Sequence, residues 1–211
     1  MPAFDDRPLV LTVPGLGNSG EDHWQSHWER CRADCLRVEL GDWEAPRREA
    51  WVARLDAAIR AVGGPVVLAA HSLGCHAAAW WAGLHGDAAA LVVGALLVAP
   101  PDLARPGLDG RLADFVNDRP APLPFPAVLV ASSNDPWCAL PVARGLAAGW
   151  GARLIEAGEL GHINAHSQLG RWPEGQSLLD EWLTRGHPSQ PTPESLALRA
   201  ARPGAAILPI A

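Results

Sequence analysis

The stretch "PVVLAAHSLGCHAAAWWAG", residues 65–83, sets a serine at a sharp corner. Its apolar run 66–70 predicts a buried strand, and the alanine-rich run 77–83 predicts a helix. The corner between them carries His71, Ser72, Leu73 and Gly74. A hydroxyl held there points outward at a helix N-terminus, where backbone N–H groups and the helix dipole favour developing negative charge. That is the position of a nucleophile in acyl transfer. The usual elbow reads Gly-x-Ser-x-Gly; here Ala70 takes the first position, still small, and Gly74 lets the helix approach its neighbour. A serine can also do no more than cap its helix, so the assignment depends on partners.

A serine hydroxyl needs a base, and the base needs an orienting acid. In this architecture the chain order is serine, acid, histidine. "VLVASSNDPWCALP" places Asp135 just past an apolar strand, and "LIEAGELGHINAHS" places His162 past the next one. Asp102, which ends a strand in "LVAPPD", is the competing acid. His166, in the same loop as His162, is the competing base. His162 is preferred because Gly161 allows a sharp turn just before it. His71 is too close along the chain to aim its ring at the hydroxyl, and His76 reads as a packing or surface residue. The expected oxyanion donors are the N–H of Leu73, just after the nucleophile, and that of Leu16, in "PGLGNSG" after the first strand. Trp137, His23 and Trp24 are expected on the walls of the substrate site.

Composition narrows the alternatives. The chain has 211 residues, 48% of them hydrophobic, enough for one domain with a single core. Its net charge is −6, and no basic run exceeds Arg47-Arg48. Phosphate neutralisation needs a positive stripe, so no nucleic-acid partner is expected, and no anionic membrane surface. No apolar run reaches the roughly 20 residues of a membrane span. The start "MPAFDDRP" has no basic-then-apolar leader, which suggests a cytoplasmic protein. All 17 basic residues are Arg, which excludes a Schiff-base lysine and a phosphate-loop lysine. "GLGNSG" lacks the third glycine of a dinucleotide loop, and only Glu39 ends the second strand as an acid. No cofactor or metal is expected. The four cysteines have no Cys-x-x-Cys spacing and read as free, mostly buried thiols.

The elements that position these residues follow from hydrophobic period and turn signals. Strands are expected at 9–13, 36–40, 66–70, 95–99, 127–131 and 153–157. A helix capped by Ser19 and Asp22 is expected to line Trp24, Trp28, Cys31 and Cys35 along one face. Further helices are expected from Pro46 to Val62, at 77–83, at 140–150 and at 176–184. Alternating strands and helices imply an α/β fold: a doubly wound, mostly parallel sheet of about six strands. Residues 1–186 form the domain, and 187–211 read as a Pro/Ala-rich tail with a short helix around 194–199.

Several segments together resemble the small serine hydrolases grouped with the retinoblastoma-binding hydrolase and its compact bacterial relatives. They are "VPGLGNSGEDHWQSHWE", "DWEAPRREAWVARLDAAI", "AAHSLG", "LLVAPPD", "ASSNDPWC" and "GELGHINAHSQLGRWPEG". The resemblance implies a minimal α/β-hydrolase without a cap domain and a triad of Ser72, Asp135 and His162. The expected substrate is a small molecule with an ester or related acyl bond. The Leu-x-Cys-x-Glu contact motif of the animal member is absent, so that partner is not carried over. A second reading stays open: a non-catalytic binding module on the same scaffold.

Overall fold

The computed structural model describes residues 7–116 and 121–183. Six strands form one all-parallel sheet in the order β2-β1-β3-β4-β5-β6. They are β1 (Leu9–Val13), β2 (Cys35–Arg37), β3 (Val66–His71), β4 (Val92–Val98), β5 (Ala127–Ala131) and β6 (Arg153–Glu156). Their side chains alternate between two cores, as the two-residue period of a strand requires. Leu11, Val13, Leu68, Ala70, Leu97 and Leu129 face one core, against α2 (Arg48–Val62), α3 (Leu73–Leu84) and α4 (Leu140–Trp150). Val10, Val67, Ala69, Leu96, Val98 and Val130 face the other, against α1 (Trp24–Cys31) and the short helices α5 (Pro173–Ser177) and α6 (Asp180–Leu183). Both faces are therefore covered, which is why the central strands are apolar throughout.

Chain connections leave β1 and β3 in opposite directions along the sheet, so the crevice beyond their carboxyl ends is the switch point of the fold. Ser72 follows β3 there, and the 14–20 loop follows β1. Gly94 lies under the Trp182 indole, where a Cβ would come within 2.3 Å of the ring. The side chain missing at Gly94 thus makes room for an aromatic lid on the second core.

Several sequence expectations are corrected. The helix after Ser72 begins at Leu73 rather than 77, because the apolar residues Leu73 and Cys75 belong to its buried face. α1 is capped by His23, whose Nδ1 accepts from the Gln25 N–H, while Ser19 bonds the Gln25 side chain instead. Cys35 lies in β2, not on the helix face. The helix expected from Pro46 starts at Arg48. β2 ends at Arg37, and β4 begins earlier, at Val92, than expected. The last helix is two short pieces broken at Leu178 and Leu179. The expected tail, with its helix around 194–199, lies outside the described residues. No helix among the described residues is long and apolar enough to cross a membrane.

The link from β4 to β5 divides between the 135–137 loop and the helices. Residues 110–115 form a 3-10 turn that buries Leu112 and Phe115. Trp80 of α3 donates its indole N–H to Phe115 O at 3.0 Å, and Asp114 accepts from the Arg48 N–H at 2.7 Å. Residues 110–115 of this link lie against α2 and α3, while Asp102 and Arg105 bond the backbone of Trp137 and Pro136; the described part of the link builds no cap.

Candidate active site

Ser72 sits at φ 53° and ψ −126°, a left-handed-side conformation that costs a residue with a Cβ roughly 1–3 kcal/mol. Three contacts hold it. Its N–H donates to Val98 O on β4 at 2.9 Å. A Cβ on Gly74 would come within 2.2 Å of Val13 O, so α3 packs directly on the end of β1. A Cβ on Gly15 would meet Ser72 Cβ at 2.8 Å and Leu73 N at 3.1 Å. Glycine is required at both places because backbone passes against backbone. Leu73 is the first residue of α3, where an N–H has no acceptor within the helix, and Leu16 follows Gly15 in the loop facing it.

His162 Nε2 lies 2.9 Å from Ser72 Oγ, and its Nδ1 lies 3.0 Å from both carboxylate oxygens of Asp135. Asp135 is 2% exposed at its side chain and His162 10%. Asp135 Oδ1 also accepts from the Trp137 N–H at 2.9 Å. The structure brings these three residues together and leaves out the competitors. Asp102 accepts from the Ala104 N–H, and His166 is exposed on a 3-10 turn. Cys75 is buried with its thiol on Ala70 O and Val98 O, and burial pushes its pKa up, so it is no nucleophile. His76 is a packing residue, donating to Pro101 O at 2.9 Å.

Residues beyond those expected hold the geometry. Ser132 Oγ accepts from the Leu160 N–H at 2.9 Å, and Asn134 Oδ1 from the Gly161 N–H at 2.7 Å. The loops bearing Asp135 and His162 are thus tied together just before each functional side chain. His71 donates from Nε2 to the backbone carbonyl of His162 at 2.9 Å. Burial, with His23 and His162 beside it, pushes its pKa well below the ordinary histidine value, so it is a neutral donor. Arg37 reaches across from β2 to Asn18 Oδ1 at 3.1 Å and Ser19 O at 3.0 Å, fixing the loop after β1. The signal for Asn134 was its place before Asp135; nothing local marks Arg37, since its partners come from 18 and 19 residues away.

Two expected wall residues stand elsewhere. Trp24 is 1% exposed and donates its indole N–H to Ile163 O at 2.9 Å. His23 is 4% exposed, packs on His71 with ring centres 4.6 Å apart, and has a pKa lowered by burial to about 3. Both lie behind the site and support it. Trp137 is 47% exposed, with its ring centre 6.3 Å from that of His162, so it does stand at the mouth.

The sequence model of a family described as serine hydrolase matches residues 10–181. The chain belongs to the serine hydrolase family. A YdeN-like hydrolase from Pectobacterium atrosepticum is 31% identical, over 86% of this chain and 94% of that one, with a TM-score of 0.74. The ydeN gene product of Bacillus subtilis is 21% identical, over 84% and 100%, with a TM-score of 0.67. The type II thioesterase BorB, from the borrelidin biosynthetic cluster, is 20% identical, over 87% and 94%, with a TM-score of 0.62. The last two share the fold with this serine hydrolase. A comparison with curated proteins gives no significant match. Among the described residues no group of His, Cys, Asp and Glu could hold a metal ion.

Proposed function

We propose that this serine hydrolase cleaves small carboxylic esters or related acyl bonds through an acyl-enzyme on Ser72. The observation that carries the reading is the unbroken hydrogen-bonded chain Ser72 Oγ, His162 Nε2, His162 Nδ1, Asp135. Asp135 accepts the Nδ1–H and so leaves the Nε2 lone pair facing the hydroxyl. His162 takes the Ser72 proton as Oγ attacks the carbonyl carbon. The Asp135 carboxylate stabilises the imidazolium that forms. The oxyanion is held by the N–H of Leu73 and that of Leu16. His162 then returns the proton to the leaving alcohol. A water, deprotonated by the same nitrogen, releases the acid and restores Ser72.

The strain at Ser72 and the two close glycine contacts fit this role, because a cap needs neither. A fluorophosphonate probe tests the reading. Labelling of the folded wild type, absent in Ser72→Ala, is the expected result. Folded wild type that resists the probe overturns it and favours a binding module. Ser72→Ala should also lose about 10⁴ or more in turnover of an activated ester while keeping its unfolding midpoint.

A further inference from the structure

Among the described residues five arginines pair with carboxylates, and Arg105, beside the 135–137 loop, is not one of them. Arg32 pairs with Asp34, Arg37 with Glu29, Arg60 with Asp56 and Asp87, Arg111 with Asp109 and Glu44, and Arg144 with Glu156. The half-buried Arg105 has no carboxylate within ion-pair distance among the described residues. It comes from the link after β4, donates from Nη1 to Pro136 O at 2.6 Å, and lays its guanidinium 5.2 Å from the centre of the Trp137 ring. Trp137 in turn faces His162. One cation therefore sits on the exposed indole that also neighbours His162.

The charges around it leave it available. Asp135 is buried on His162, and Asp102 holds the Ala104 N–H. An arginine stacked on an indole is preorganised, with donors in its fork still free once one N–H binds Pro136 O. A fork of this kind suits a carboxylate, which accepts two parallel N–H bonds.

We propose, building on the acyl-transfer reading above, that this enzyme prefers substrates carrying a carboxylate a few bonds from the scissile carbonyl, and that Arg105 on the Trp137 ledge receives it. The site then selects acidic acyl compounds, such as half-esters of dicarboxylic acids, over neutral esters of equal length.

The test compares 4-nitrophenyl hydrogen adipate with the methyl ester of the same compound, and 4-acetoxybenzoate with its methyl ester. The first pair carries the charge on the acyl side and the second on the leaving side. The readout is the charged-to-neutral ratio of kcat/KM in wild type, Arg105→Gln and Arg105→Lys. A ratio cancels any shared loss from loosening the Pro136 loop. For at least one pair the ratio should fall roughly three- to fivefold in Arg105→Gln, survive largely in Arg105→Lys, and shrink in wild type at high salt. Equal ratios in wild type and Arg105→Gln for both pairs overturn the proposal. Turnover of the neutral esters separates that failure from failure of the hydrolase reading, which would abolish every rate.

Discussion

The residue beside Ser72 holds His162 by its backbone: His71 Nε2 donates to His162 O at 2.9 Å. Ser72 and His162 are thereby referenced to one another from two sides, once through their side chains and once through this strut. His71 is in turn packed on His23, and His23 caps α1.

The strut acts by position, and two substitutions separate donor from bulk. His71→Gln keeps an N–H at similar reach, whereas His71→Met fills the space without one. His71→Met should lower kcat by about tenfold with little change in KM, for a loss near 1.4 kcal/mol. His71→Gln should recover most of that. Equal kinetics for the two variants, at equal unfolding midpoints, would show that the hydrogen bond has no part in placing His162.

Asp135→Asn should lower turnover far more than Asp102→Asn. Only the carboxylate on Nδ1 fixes the tautomer, and in a comparable triad the change to Asn cost about 10⁴ in kcat. Ester hydrolysis by the two purified variants decides it; a worse loss in Asp102→Asn would move the acid to the other strand.

Efficiency should level off or fall after the first few acyl carbons in neutral esters. Residues 110–115 lie against α2 and α3, and Trp137 is half exposed, so a long acyl chain has little described cover. Each methylene left in water forgoes about 0.8 kcal/mol of burial. A nitrophenyl ester series from acetate to dodecanoate checks this, and a steady rise to dodecanoate would reveal a deep channel.

Stability should fall as the pH drops from about 6.5 toward 4. Burial lowers the pKa of His23 to about 3 and that of His76 to about 4, and His71 is lowered too. Above about 6.5 both the folded and the unfolded chain keep these rings neutral. Below it the unfolded chain binds protons that the folded one refuses, so unfolding is favoured. By pH 5 each of His23 and His76 costs about 2 kcal/mol, a sizeable share of a total of roughly 5–15. Urea unfolding at pH 7, 6 and 5 measures the slope; a flat midpoint would mean that these rings are solvated or paired in the folded state.

The strands and the chain positions of the candidate site residues are legible because each depends on local pattern, whereas the strand order is not. Apolar runs 66–70 and 127–131 had no other role than buried strands, and Ser72, Asp135 and His162 each follow such a run. Long-range geometry was not readable. Chain position shows only that the His71 ring cannot face Ser72, and nothing in one dimension shows that it meets a carbonyl 91 residues away. Trp24 is expected on a wall of the substrate site. The fold instead turns it inward onto Ile163, a carbonyl 139 residues distant. The helix break at Leu178 and Leu179 has no Pro or Gly to mark it.

The glycine contacts at the corner have a bearing on how the enzyme fails. The segment 65–84 contains the strand, the turn and the helix, yet the contacts that hold Ser72 at φ 53° come from outside it. Beside the Ser72 N–H bond to Val98 O, they are the close approaches of Val13 O and Gly15, some 60 residues earlier in the chain. Detachment of β1, next to the edge strand β2, would let the corner relax while α3 stays wound. Inactivation on heating should therefore run ahead of the loss of helix signal.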